Sequence, residues 1–123
     1  MIQLPARSIR TFIGAKDYDL SRKFYQELGF TESIIDEKMS YFRVNESLGF
    51  YLQRYYVKHW VNNSMVFLEV ENLDSWYQEL STKGLQDRYK YVRFTEIKTF
   101  DWGREFFMHD PAGVLWHFGT FNN

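Results

Sequence analysis

The chain predicts an α+β fold made of two βαβββ modules. A four-residue motif recurs, the same order of strand-like and helix-like stretches surrounds each copy, and turn residues punctuate both halves. Tyr25-Gln26-Glu27-Leu28 returns as Tyr77-Gln78-Glu79-Leu80. A strand-like run and an acidic stretch precede each copy. A glycine, Gly29 or Gly84, follows each one, where a left-handed helix stop is cheap.

In the first module, residues 8–14 read as a strand. Residues 20–28 read as a helix that Asp17 or Asp19 can cap, with Leu20, Phe24 and Leu28 on one face. Strands 30–36 and 39–44 flank the turn Glu37-Lys38, and Asn45-Glu46 turns the chain into strand 48–55. Residues 56–63 form a polar and aromatic connector that carries His59 and Trp60. The second module opens with strand 64–70. Helix 73–83 follows, with Asn72 or Asp74 near its cap and Leu73, Trp76, Tyr77 and Leu80 as its apolar stripe. Strands 91–98 and 104–108 flank Asp101-Trp102-Gly103. Asp110-Pro111-Ala112-Gly113 is a strong turn, and 114–119 closes the chain. The modules span about 8–55 and 64–119 of a single domain, 1–123. Helices covering one face of the strands leave the other free, so eight strands are expected to curl into a mixed sheet around a cavity, with the helices on the outer face.

Composition narrows the function. The chain of 123 residues is 45% hydrophobic and 25% charged, the balance of an ordinary globular domain. No apolar run reaches the roughly 18 residues that span a bilayer, and residues 1–10 lack the apolar stretch of a signal peptide. With no cysteine, disulfides, thiol nucleophiles and thiolate ligands are absent. A cytoplasmic location is expected. A net charge of -1, with the basic residues scattered among acids, argues against a nucleic-acid partner. No Gly-x-Ser-x-Gly, phosphate-binding glycine loop or His-Glu-x-x-His is present, so no catalytic residue is assigned. Aromatic side chains make up 20% of the chain, more than a core of this size needs, and Tyr and Trp suit half-wet surfaces such as pockets and interfaces.

Three segments resemble the vicinal-oxygen-chelate superfamily, which includes glyoxalase I, extradiol dioxygenases, fosfomycin resistance enzymes and bleomycin resistance proteins. They are Asp17-Tyr18-Asp19-Leu20-Ser21-Arg22-Lys23-Phe24-Tyr25 with Leu28-Gly29-Phe30; Val70-Glu71-Asn72-Leu73-Asp74; and Trp102-Gly103-Arg104-Glu105-Phe106-Phe107 with Asp110-Pro111-Ala112-Gly113-Val114-Leu115-Trp116. The resemblance implies four positions for metal ligands, which here hold Arg10, Gln53, Met65 and His117. Only His117 is a good ligand. Arg10 would repel a divalent ion, and the Met65 thioether suits none of the family's metals. The expectation is therefore no metal and no cofactor.

Loss of the ligands resembles the bleomycin resistance branch. That branch implies a homodimer without chemistry, which sequesters a drug in aromatic grooves at the subunit contact. Its groove residues correspond to Tyr55, Tyr56, Trp60 and Trp102. The branch is acidic. A net charge of -1 and a cavity-facing Arg10 depart from it and argue against bleomycin itself. Arg10 is either a clamp for a carboxylate or phosphate, or an internal ion-pair partner of Glu69 or Glu105. Gln53 either orients a polar ligand group or satisfies backbone. His117 serves as a pocket hydrogen-bonder, a residual base or a core histidine. Met65 and Phe67 form an apolar cavity floor. Trp60 and Trp102 stack on a flat ligand or belong to a dimer interface. Phe106 and Phe107 point to opposite faces, so one lines the cavity and the other is core. The alternative function is a metal-dependent lyase, isomerase or dioxygenase with a displaced site built on His117 and Glu69 or Glu105. A third reading leaves the aromatics to assembly alone.

Overall fold

The computed structural model of the chain describes residues 3–123; Met1 and Ile2, at the head of the segment read for a signal peptide, lie outside it. The first module is β1 (Phe12–Gly14), α1 (Tyr18–Leu28), β2 (Thr31–Asp36), β3 (Met39–Arg43) and β4 (Gly49–Gln53). After α2 (Lys58–Asn62), the second is β5 (Met65–Glu69), α3 (Leu73–Thr82), α4 (Leu85–Arg88), β6 (Arg93–Phe94), β7 (Lys98–Phe100), β8 (Gly103–His109) and β9 (Leu115–Phe121). The first sheet runs β1-β4-β3-β2. The second runs β5-β9-β8-β6, with β7 also on β8. In each, the opening strand lies parallel to the closing one and the rest is antiparallel. The duplication is therefore topological as well as verbal.

Local chemistry explains the elements. The Asp17 carboxylate accepts from Leu20 N at 3.1 Å and starts α1. Gly29, at φ 115, ends it, and Phe30 N donates back to Tyr25 O at 3.1 Å. Asn72 starts α3 by accepting from Ser75 N. Asp19 and Asp74, the other candidate caps, pair instead with Arg22 and Arg104. The buried face of α1 is Ser21, Phe24, Tyr25 and Leu28, and Leu20 points to solvent. Face membership follows the 3.6-residue turn, and Leu20 stands one step off the stripe.

Three sequence expectations need correction. Strand 8–14 is shorter: residues 3–10 are exposed and outside any ladder, and pairing begins at Phe12. Strand 91–98 is two short strands. Between them Thr95 donates its N–H to Phe107 O and accepts Phe107 N on its hydroxyl at 2.9 Å, so a side chain takes over a ladder bond. The connector contains the short helix α2.

The expected α+β fold of two modules with mixed strand pairing is what the structure has. Among the described residues its strands divide between two sheets, of four and five strands, which do not close into a barrel. As expected, helices cover one face of the strands. The helix-side faces of both sheets share one core: Phe50 on β4 meets Trp116 on β9 at 5.2 Å between ring centroids. Tyr25 of α1 packs on Phe42, Phe50 and Trp116 together. Apolar area is thus buried between modules, and each sheet keeps its other face open. At the centre the Tyr25 hydroxyl donates to Asp110 Oδ2 at 2.6 Å and accepts from Trp116 Nε1 at 2.9 Å. Asp110 Oδ1 accepts the backbone N–H groups of Ala112, Gly113 and Val114. The Asp-Pro-Ala-Gly turn is therefore a buried tie between the two halves. No helix among the described residues is long and apolar enough to cross a membrane.

Candidate binding surfaces and the His117–Glu105 pair

On the first sheet, strand alternation places Phe12, Tyr51 and Tyr41 side by side on the open face. The Phe12 and Tyr51 rings stack at 4.7 Å, and Tyr41 lies 5.0 Å from Tyr51. Arg10, just before β1, lays its guanidinium over Tyr41 at 4.4 Å and donates to the Tyr51 hydroxyl at 2.9 Å. That hydrogen bond holds the guanidinium pKa above its usual value. The internal ion pair considered for Arg10 is absent. Among the described residues it meets no carboxylate, and Glu105 bonds to His117 instead.

Gln53 ends β4 opposite Gly14 and Met39. With Phe12, Tyr55, Trp60, Val61 and Ser64 it borders a cavity of about 440 Å³. Helix α2 supplies the Trp60 and Val61 wall, and Tyr55 and Trp60 approach to 6.0 Å. Gly14 makes this closure possible, since a side chain there would lie 2.6 Å from the Tyr55 carbonyl.

The open face of the second sheet carries Met65, Phe67 and Glu69 across from Leu115, His117 and Gly119. Phe67 stacks along His117 at 6.0 Å and meets Trp102 at 6.1 Å and Phe121 at 5.5 Å. Trp102 lies flat on Phe100. Phe107 faces this surface and meets His117 edge-on, whereas Phe106 is fully buried, as their alternation predicts. His117 Nδ1 lies 2.8 Å from Glu105 Oε1, and Glu105 is only 8% exposed. A buried carboxylate therefore orients the ring.

The eight candidate residues do not line one hollow. Met65, Phe67, Trp102 and His117 share the open face of the second sheet. Gln53, Tyr55 and Trp60 share the cavity beside α2. Arg10 stands on the first sheet and meets Phe67 only along a groove of about 730 Å³ between the sheets. The cause is the shared core, which turns both helix-side faces toward each other.

The positions implied for metal ligands are split accordingly, Arg10 and Gln53 on one sheet and Met65 and His117 on the other. Among the described residues no three His, Cys, Asp or Glu side chains cluster. One imidazole, already bonded to a carboxylate, with a thioether on its own sheet and the guanidinium and amide on the other, is a poor fit to a divalent metal. Phe12, Tyr41 and Tyr51 were missed by sequence reasoning, although two-residue spacing from Arg10 and Gln53 would have found Phe12 and Tyr51.

A family model described as Glyoxalase/Bleomycin resistance protein/Dioxygenase superfamily matches residues 7–118. No curated protein matches the chain in sequence. Among solved structures, a bleomycin-binding protein complexed with bleomycin superposes with TM-score 0.80 at 18% identity, covering 95% of this chain and 100% of that one. The bleomycin-binding protein of bleomycin-producing Streptomyces verticillus, complexed with copper(II)-bleomycin, gives 0.77 at 22% identity with both chains covered fully. A bleomycin resistance determinant encoded on a transposon gives 0.77 at 20% identity, covering 96% of this chain and 100% of that one.

Proposed function

Since this chain belongs to the glyoxalase/bleomycin resistance protein/dioxygenase superfamily, we propose that it is a metal-independent protein that binds and sequesters a planar or amphipathic compound of antibiotic or toxin type. The observation that carries this reading is the replacement of a donor set by exposed aromatic rings, on the open face of the second sheet and around the cavity beside α2. Phe67 is 44% exposed, Trp102 37%, Tyr55 53% and Trp60 63%. Rings left in water by a chain with an ample core are surfaces awaiting a partner. Sharing a fold with proteins solved with bleomycin supports the reading without naming this chain's ligand.

A homodimer accompanies it. A second copy laid against the open faces would enclose what one chain leaves open, with Met65, Phe67 and Trp102 on one wall and Gln53, Tyr55 and Trp60 on another. A thermal-shift screen against aromatic antibiotics and metabolites is expected to give hits that raise the melting temperature. A broad library without hits contradicts the proposal.

The second reading, a displaced metal site, draws on the His117–Glu105 pair. Elemental analysis of purified protein separates the two. The binding reading expects no stoichiometric transition metal. A stoichiometric ion lost on His117→Ala would instead support a lyase, isomerase or dioxygenase.

A further inference from the structure

The groove between the sheets has a charge pattern that the family resemblance does not supply. It is bordered by Arg7 and Arg10, by the hydroxyls of Ser8, Thr11 and Ser47, and otherwise by apolar or glycine positions; no acidic side chain lines it. Arg10 is held over Tyr41, 4.4 Å from the ring centroid, and spends one N–H on Tyr51. A guanidinium has five N–H donors in a rigid fork, so most of its hydrogen-bonding capacity is left for a ligand. The Tyr41 ring and the Tyr51 hydroxyl hold that fork in place before a ligand arrives. Behind it lie Val66, Phe67 and Trp116, which suit a hydrocarbon or aromatic body. A groove of about 730 Å³ is the size that holds a drug-sized molecule.

We infer that the ligand is an amphipathic anion: one carboxylate, sulfonate or phosphate head clamped by Arg10 with Arg7 nearby, and an apolar body lying in the groove toward Phe67. The inference rests on the small-molecule reading above and narrows it to one chemical class. Arg10 fixes the head, Arg7 adds long-range attraction, and the rings take the body.

The test compares two fluorescent probes that share one ring system, anilinonaphthalene sulfonate and the uncharged phenylnaphthylamine. With the full chain at low ionic strength, the sulfonate is expected to bind about tenfold more tightly, the size of one charge-assisted contact. Arg10→Gln should abolish that preference, Arg10→Lys should keep part of it, and added salt should weaken the sulfonate alone. Circular dichroism of Arg10→Gln should match the parent, since the side chain is exposed. Equal binding of both probes, or a preference that survives Arg10→Gln, overturns the anion clamp and leaves the binding reading standing. If neither probe binds, the anion clamp is likewise overturned, and the thermal-shift screen alone decides the binding reading.

Discussion

Asp110→Ala is expected to lower the unfolding free energy by about 3–4 kcal/mol, because it strips a buried turn of its hydrogen-bond acceptor. The carboxylate is fully buried and accepts from three backbone N–H groups and from the Tyr25 hydroxyl. Truncation leaves these donors unpaired in a water-free core, at a cost of about 1–3 kcal/mol for each group that finds no substitute. Tyr25 also links α1 to Trp116, so the loss spreads across both modules. Urea denaturation checks the magnitude, and an effect below about 1 kcal/mol would show that the turn closes without its carboxylate.

The same residue sets a pH dependence. Burial pushes the Asp110 carboxyl up to about 6, against the pull of Tyr25 and the three backbone N–H groups. A raised folded-state pKa means that the fold binds the proton more tightly than the unfolded chain does. The stability contributed by this proton is fully present below about pH 4 and is lost as pH rises through about 6. Asp110→Asn, which does not titrate, should flatten that part of the curve.

Trp102→Ala and Phe67→Ala should each weaken a ligand found by screening about tenfold, while moving the melting temperature by only a few degrees. Each ring contributes stacking worth about 0.5–1.5 kcal/mol beyond the area it covers. Both side chains are partly exposed and outside the buried core, so their loss leaves no internal cavity. The two rings touch at 6.1 Å, so the double variant should lose less than the sum of the singles. Trp116→Ala provides the contrast. That ring is 1% exposed between Tyr25 and Phe50, and its loss should destabilise the fold by about 3–5 kcal/mol.

Much of the fold is legible in the amino-acid sequence because its signals are local. Asp17 and Asn72 as caps, Gly29 as a stop and the Asp-Pro-Ala-Gly turn lie within a few residues of what they control. What is not legible depends on partners far along the chain. Alternation reports that Tyr51 and Leu52 face opposite ways, but not that the faces of Phe50 and Trp116 meet. That contact leaves two open faces and a groove. Asp110 reads as a turn residue, while its role as the inter-module tie requires Tyr25, 85 positions away. The break at Thr95 hinges on a hydroxyl replacing a ladder bond, which no periodicity reveals. The site residues follow the same division. Met65, Phe67, Trp102 and His117 come together through one β-ladder and its neighbouring turn. Arg10 joins them only across the seam between modules.

An NMR titration of the isotopically labelled full chain with a screening hit, run in excess chelator, tests the binding account most directly. The account expects saturable amide shifts clustered on Phe67, Trp102, His117 and the Arg10–Tyr51 strip, unchanged by the chelator. Binding that vanishes when metal is removed, or shifts confined to surfaces away from both open faces, would contradict it.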